Sequence, residues 1–152
     1  MTDPFSLQRF VDAQATTYDT ALAEIRRGAK RSHWMWFIFP QLVGLGHSTT
    51  ARFYGIRSAA EANAYLDHAL LGPRYLTCVD ALQALAMDDP VRVFGAIDAM
   101  KLGSSLTLFE AVRSSPLLSQ ALQRWFGGER DPATLRLLRE PPAPLAPPGH
   151  PK

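Results

Sequence analysis

The feature that most limits how this chain can fold is a set of helix punctuation marks spaced along it. Asp3-Pro4, Asp89-Pro90, Ser115-Pro116 and Asp131-Pro132 each place an oxygen-bearing side chain directly before a proline. The oxygen accepts one of the orphan N–H groups of a first helical turn, and proline has no N–H to leave orphaned there. Ser58 and Glu61 stand three apart, the spacing of a capping box in which each side chain satisfies the other's backbone N–H. Gly28 and the pair Gly127-Gly128 supply matching stops.

Between these marks the apolar residues recur at three and four. Tyr18, Ala21, Leu22 and Ile25 share a face, as do Ala62, Tyr65, Leu66 and Ala69. The longest stripe is Tyr75, Cys78, Val79, Leu82, Leu85 and Ala86. Strict alternation is rare, so the period is helical. The spacing predicts helices over 4–14, 16–27, 48–55, 59–69, 73–87, 90–95, 98–113, 116–126 and 132–139. Several are short, which favours an all-α, compact, orthogonal multi-helix domain over a long bundle. Residues 1–139 are expected to form that single domain, and 140–152 a Pro-rich flexible tail. The tail has PxxP spacing, but a plain solubilising appendage is the preferred reading.

One segment resists the pattern: Lys30 to Gly46, KRSHWMWFIFPQLVGLG. Its bulky run has no period. With no partner strand evident, the expectation is a short buried helix capped by Ser32 and ended by Pro40. Pro40 to His47 then reads as a Gly-containing loop.

Composition bounds the function classes. The chain has 152 residues, 47% hydrophobic and 20% charged, enough for a core without staples. Net charge is +2, too mild for a dedicated nucleic-acid surface. The longest apolar run, Trp34 to Phe39, cannot span a bilayer. The N-terminus lacks the basic and apolar regions of a signal peptide, and Cys78 is the sole cysteine. A cytoplasmic location is therefore expected. The four histidines show no metal-ligand spacing, so no metal and no cofactor are expected.

The order of segments resembles a family of mainly helical bacterial proteins catalogued as domain of unknown function 1810, some of which carry a calpastatin label. The resemblance rests on DPFSLQRFVDAQ (3–14), KRSHWMWFIFPQLVGLG (30–46), ARFYGI (51–56), LGPRYLTC (71–78), KLGSSLTLF (101–109) and WFGGERDPATLRLL (125–138). It implies an all-helical fold and supplies no reaction. The calpastatin label does not suit this chain. Such inhibitors are extended and disordered, whereas this composition is that of a preformed core.

Two polar clusters are the candidate chemistry. Lys30, Arg31, Ser32 and His33 precede the aromatic run, where cations, a hydroxyl and backbone N–H groups suit an anion. A histidine there also suits proton transfer. The plain alternative is a solvated basic turn. Trp34 and Trp36, with Tyr54 and Gln41 nearby, suit a planar ligand, against the alternative of core packing. The second cluster is Lys101, Ser104, Ser105 and Thr107, of which the first three share a helical face. Its plain alternative is an amphipathic helix whose serines admit a close neighbour. The stretch 98–105 resembles, with altered spacing, the Ala-Lys-x-x-Gly pattern of helical enzymes acting on ADP-ribose or N-glycosidic bonds. Cys78 lies on an apolar stripe and reads as core.

The sequence thus supports a domain that binds or processes a small anionic or nucleotide-like ligand between these clusters. The rival is a non-enzymatic interaction or oligomerisation module that uses its aromatic and basic residues as a partner surface. Nucleic-acid binding through Arg26, Arg27, Lys30 and Arg31 is the weakest reading.

Overall fold

The computed structural model describes residues 3–140, and the expected tail from residue 141 onward lies outside them. Within these residues the chain forms ten α-helices: α1 (Gln8–Gln14), α2 (Tyr18–Arg27), α3 (Met35–Ile38), α4 (Thr49–Tyr54), α5 (Ala59–Asp67), α6 (Leu71–Gln83), α7 (Pro90–Phe94), α8 (Ala96–Val112), α9 (Pro116–Phe126) and α10 (Pro132–Arg139). The extended pairing among them is one parallel bridge, Leu42 to Ile56. The fold is all-α, as the punctuation implied.

The caps act unevenly. Asp89 accepts from the Val91 N–H, and Asp131 from Thr134. Ser58 accepts from Glu61 N–H, but Glu61 returns its bond to Arg57 N–H, one residue short of a closed box. Ser115 precedes Pro116 without a side-chain cap bond. Asp3-Pro4 opens a turn, not a helix: Asp3 accepts from the Leu7 and Gln8 N–H groups, and Ser6 sits at φ 54°. The expected helix over 4–14 therefore starts at Gln8, one turn later.

Two other boundaries differ for visible reasons. The expected 73–87 helix begins at Leu71 and ends at Gln83. At its start the His68 imidazole accepts from the Leu70 and Leu71 N–H groups. Gly72 lies so close to α5 that a Cβ there would sit 2.0 Å from the Leu66 carbonyl oxygen. At its end the Arg124 guanidinium donates to the carbonyls of Leu82, Gln83, Leu85 and Met87. It thereby takes acceptors that a continuing helix would use. Gly95, at φ 83° and ψ 163°, separates α7 from α8. That region of backbone space is open to glycine almost alone.

α8 is the central element. It packs against α5, α7, α9 and α10, and eight of its residues from Ala99 to Phe109 are buried. A helix apolar on most sides belongs inside a domain. Around it stands a set of interlocked rings: Phe109 is 4.5 Å from Tyr75 and 5.3 Å from Tyr65, and Tyr65 meets Phe10 edge-on at 5.1 Å. Phe39, Phe94 and Trp34 extend the set.

Candidate functional site

The first cluster turns out to carry its own anion. Glu24, on the inner face of α2, accepts from the Arg31 N–H, the Ser32 N–H, the Ser32 hydroxyl and the Trp34 indole N–H, at 2.6–2.9 Å. The Arg31 and Ser32 backbone N–H groups and the Ser32 hydroxyl are thus spent on this carboxylate, while the Arg31 side chain is exposed and takes no part. Burial pushes the Glu24 carboxyl up. The hydrogen bonds from Ser32, Arg31 and Trp34 outweigh it and leave the group at about 2. Ser32 does not cap α3, because its hydroxyl is turned to Glu24; Trp34 stands at the N-cap position without a side-chain bond.

The aromatic platform expected of Trp34, Trp36, Gln41 and Tyr54 does not form. Trp34 is 1% exposed and sits in the core. Trp36, Gln41 and Tyr54 border a dimple of about 10 Å³, room for one water at most. Tyr54 packs against Phe10, Phe37 and Phe53.

The hydroxyls of the second cluster diverge. Ser105 is fully buried and shares a hydrogen bond with the Tyr75 hydroxyl at 2.9 Å. Ser104 donates to Asp131, and Thr107 accepts from the Asp131 N–H while donating to the Gly103 carbonyl. Ser104 and Thr107 thus dock the start of α10 onto α8. Their partners lie more than twenty residues away, beyond the reach of a spacing argument. Gly103 faces the Phe126 ring, where a Cβ would meet it at 3.3 Å.

What remains of both clusters does converge. Lys30 Nζ lies 2.9 Å from Asp98, and Lys101 Nζ lies 3.7 Å from the other oxygen of the same carboxylate. Each ammonium also sits over an indole, Lys30 over Trp34 at 5.0 Å and Lys101 over Trp36 at 4.9 Å. Lys30 spends a further donor on the Ser32 carbonyl. Lys30, Met35, Trp36, Phe94, Ile97 and Asp98 line a cleft of about 440 Å³, with exposed His33 and Gly95 at its edge; Lys101 stands behind this lining, against its Asp98 and Trp36. α8 opens onto the same cleft, and Gly95 at its N-cap offers no side chain to its free N–H groups.

Glu24 and Asp98 are the residues that sequence reasoning missed. Each left a signal. Glu24 is a charge on the buried stripe between Ala21 and Ile25, and Asp98 stands three before Lys101. One other candidate residue is placed by its surroundings. Cys78 is buried, which pushes its thiol up to about 12 and leaves it inert as a nucleophile. Among the described residues no three His, Cys, Asp or Glu side chains gather where they could hold a metal ion.

Fold and cleft together define a small all-helical domain with a mixed charged and apolar recess at the head of its central helix. The chain belongs to the family described as protein of unknown function (DUF1810), whose model matches residues 4–138. It is similar to a conserved hypothetical protein of Mycobacterium tuberculosis known from a crystal structure. The two share 45% identity with a TM-score of 0.89, over 91% of this chain and 100% of that one. No curated protein matches the chain.

Proposed function

We propose that the domain binds a small anionic molecule in the cleft between the Lys30–Trp36 segment and the start of α8. The observation that carries this reading is that two ammonium groups, Lys30 and Lys101, share one carboxylate, Asp98. One positive charge is left over beside the uncapped first turn of α8. The cleft volume of about 440 Å³ lies in the range of small-molecule sites. A wider groove of about 670 Å³ runs along Asp3, Arg9 and Asp12. Its arginine already donates to the carbonyls of Phe5, Ser6, Phe53 and Gly55 and to Glu61, and its two aspartates disfavour an anion.

The test is a thermal-shift screen of small carboxylates, phosphates and nucleotides against the wild type and Lys101→Met. The substitution keeps an apolar stem over Trp36 and removes the surplus charge. A ligand at 100 times its Kd stabilises by about 2.7 kcal/mol, a shift of roughly 5 °C or more at this size. The expected result is a shift in the wild type that falls by more than half in the variant. If no anion shifts the wild type at millimolar concentration, the reading fails.

A second reading, an interaction or self-association surface, is supported by Ile97 and Met100, each 73% exposed on one side of α8. Light scattering of the wild type and Met100→Glu separates the two readings. We place the site of action in the cytoplasm, a reading supported by the single buried Cys78; among the described residues no helix is long and apolar enough to cross a membrane.

A further inference from the structure

We propose that the molecule taken by this cleft is a monovalent carboxylate with an apolar body of several carbons, not a phosphate or a nucleotide. The inference rests on the cleft reading above and narrows it by charge and by lining.

The charge comes first. Lys30 and Lys101 against Asp98 leave one unit of positive charge. One carboxylate neutralises that unit. A phosphate monoester brings about two negative charges and a nucleoside triphosphate more. The excess would face Asp98, which is itself on the cleft wall. Among the described residues the lining holds no arginine, the residue whose planar fork matches phosphate and other bidentate acceptors. Lysine is a point charge, adequate for one carboxylate oxygen pair.

The lining comes second. Met35, Trp36, Phe94 and Ile97 form the apolar wall. Ile97 stands 73% exposed beside charged groups, so an acid with a bare headgroup leaves it wet. An acid with an alkyl or aryl body covers it and gains the burial. A base finds no face to stack on at Trp34, which is buried, and Lys101 already covers one face of Trp36.

The experiment is calorimetric titration of acetate, butyrate, hexanoate and benzoate, with inorganic phosphate and AMP as multivalent comparators. Wild type, Lys101→Met and Ile97→Ser are compared. Ile97 is exposed, so its substitution leaves the core untouched. The expected result is an affinity that rises about fourfold per methylene until the cleft is filled, with a negative heat-capacity change. Ile97→Ser flattens that rise, and Lys101→Met weakens every acid by a similar factor, about tenfold. If affinity is flat along the acid series, the proposal is overturned. It is also overturned if phosphate or AMP binds more tightly than hexanoate; in that case sensitivity to Lys101→Met keeps the cleft as an anion site. If hexanoate binds but neither variant weakens it, the site lies elsewhere and the proposal fails. If no anion binds at all, the cleft reading itself falls and takes this proposal with it.

Discussion

At Glu24 two physical effects compete, and their magnitudes decide the outcome. Burial penalises the ionised carboxylate, while four donors at 2.6–2.9 Å favour it and hold its pKa near 2, below the ordinary 4.5. A carboxyl depressed in the folded state stabilises the fold fully above its unfolded value, and the contribution disappears as pH falls toward 2. Glu24→Gln should therefore cost about 2 kcal/mol at neutral pH, the worth of charge-assisted bonds lost to a neutral amide. It should also flatten the loss of stability between pH 4.5 and 2. Urea denaturation across that range checks both, and an unchanged acid limb would refute the assignment. The same residue shows what one-dimensional reading can and cannot do. The hydroxyl and backbone N–H groups read as an anion cradle hold the chain's own Glu24, and neither the Lys30 nor the Arg31 side chain takes part. Nothing in the spacing of Lys30 to His33 announces a partner on the preceding helix. Ser105 was illegible for a similar reason: its partner Tyr75 lies thirty residues away.

Among the helices, the caps offer a controlled comparison. Asp89, Ser115 and Asp131 occupy the same sequence context, each directly before a proline. Asp89 makes one cap bond. Ser115 makes none from its side chain. Asp131 accepts from the Thr134 N–H, the Thr134 hydroxyl and the Ser104 hydroxyl. Alanine substitution should thus cost about 1 kcal/mol at Asp89, near zero at Ser115, and about 2 kcal/mol at Asp131, where docking of α10 is lost with the cap. Chemical denaturation of the three variants gives the order directly, and equal costs would sink it. The starts of α7, α9 and α10 were readable because Pro at the first helical position acts through its own backbone. The end of α6 was not, because it is set by Arg124 from α9. The stripe through Leu85 and Ala86 keeps helical spacing although the helix has stopped.

Across the whole molecule, polar locks tie segments that are far apart in the chain. Arg9 joins the first turn to the end of α4 and to α5, with an ion pair to Glu61 at 2.7 Å and a Glu61 side chain only 2% exposed. Removing one partner of a buried pair strands the other charge. Arg9→Met should cost about 3–5 kcal/mol, and Arg9→Met with Glu61→Gln should cost less than Arg9→Met alone. A double-mutant cycle by denaturation tests this, and simple additivity would contradict it. All-helical architecture was legible from punctuation and period, whereas the way α8 is surrounded depends on contacts that no local pattern encodes. That burial also has a consequence for the order of events at the ribosome. α8 begins at Ala96, after seven other helices have been made, and α9 and α10, which close over it, come later still. Until then Tyr65 and Tyr75 have no Phe109 to meet. The nascent chain therefore leaves the exit tunnel with its ring cluster unfinished and can close it only once Phe109 has emerged, which leaves its early helices dependent on whatever shields apolar surface in the meantime.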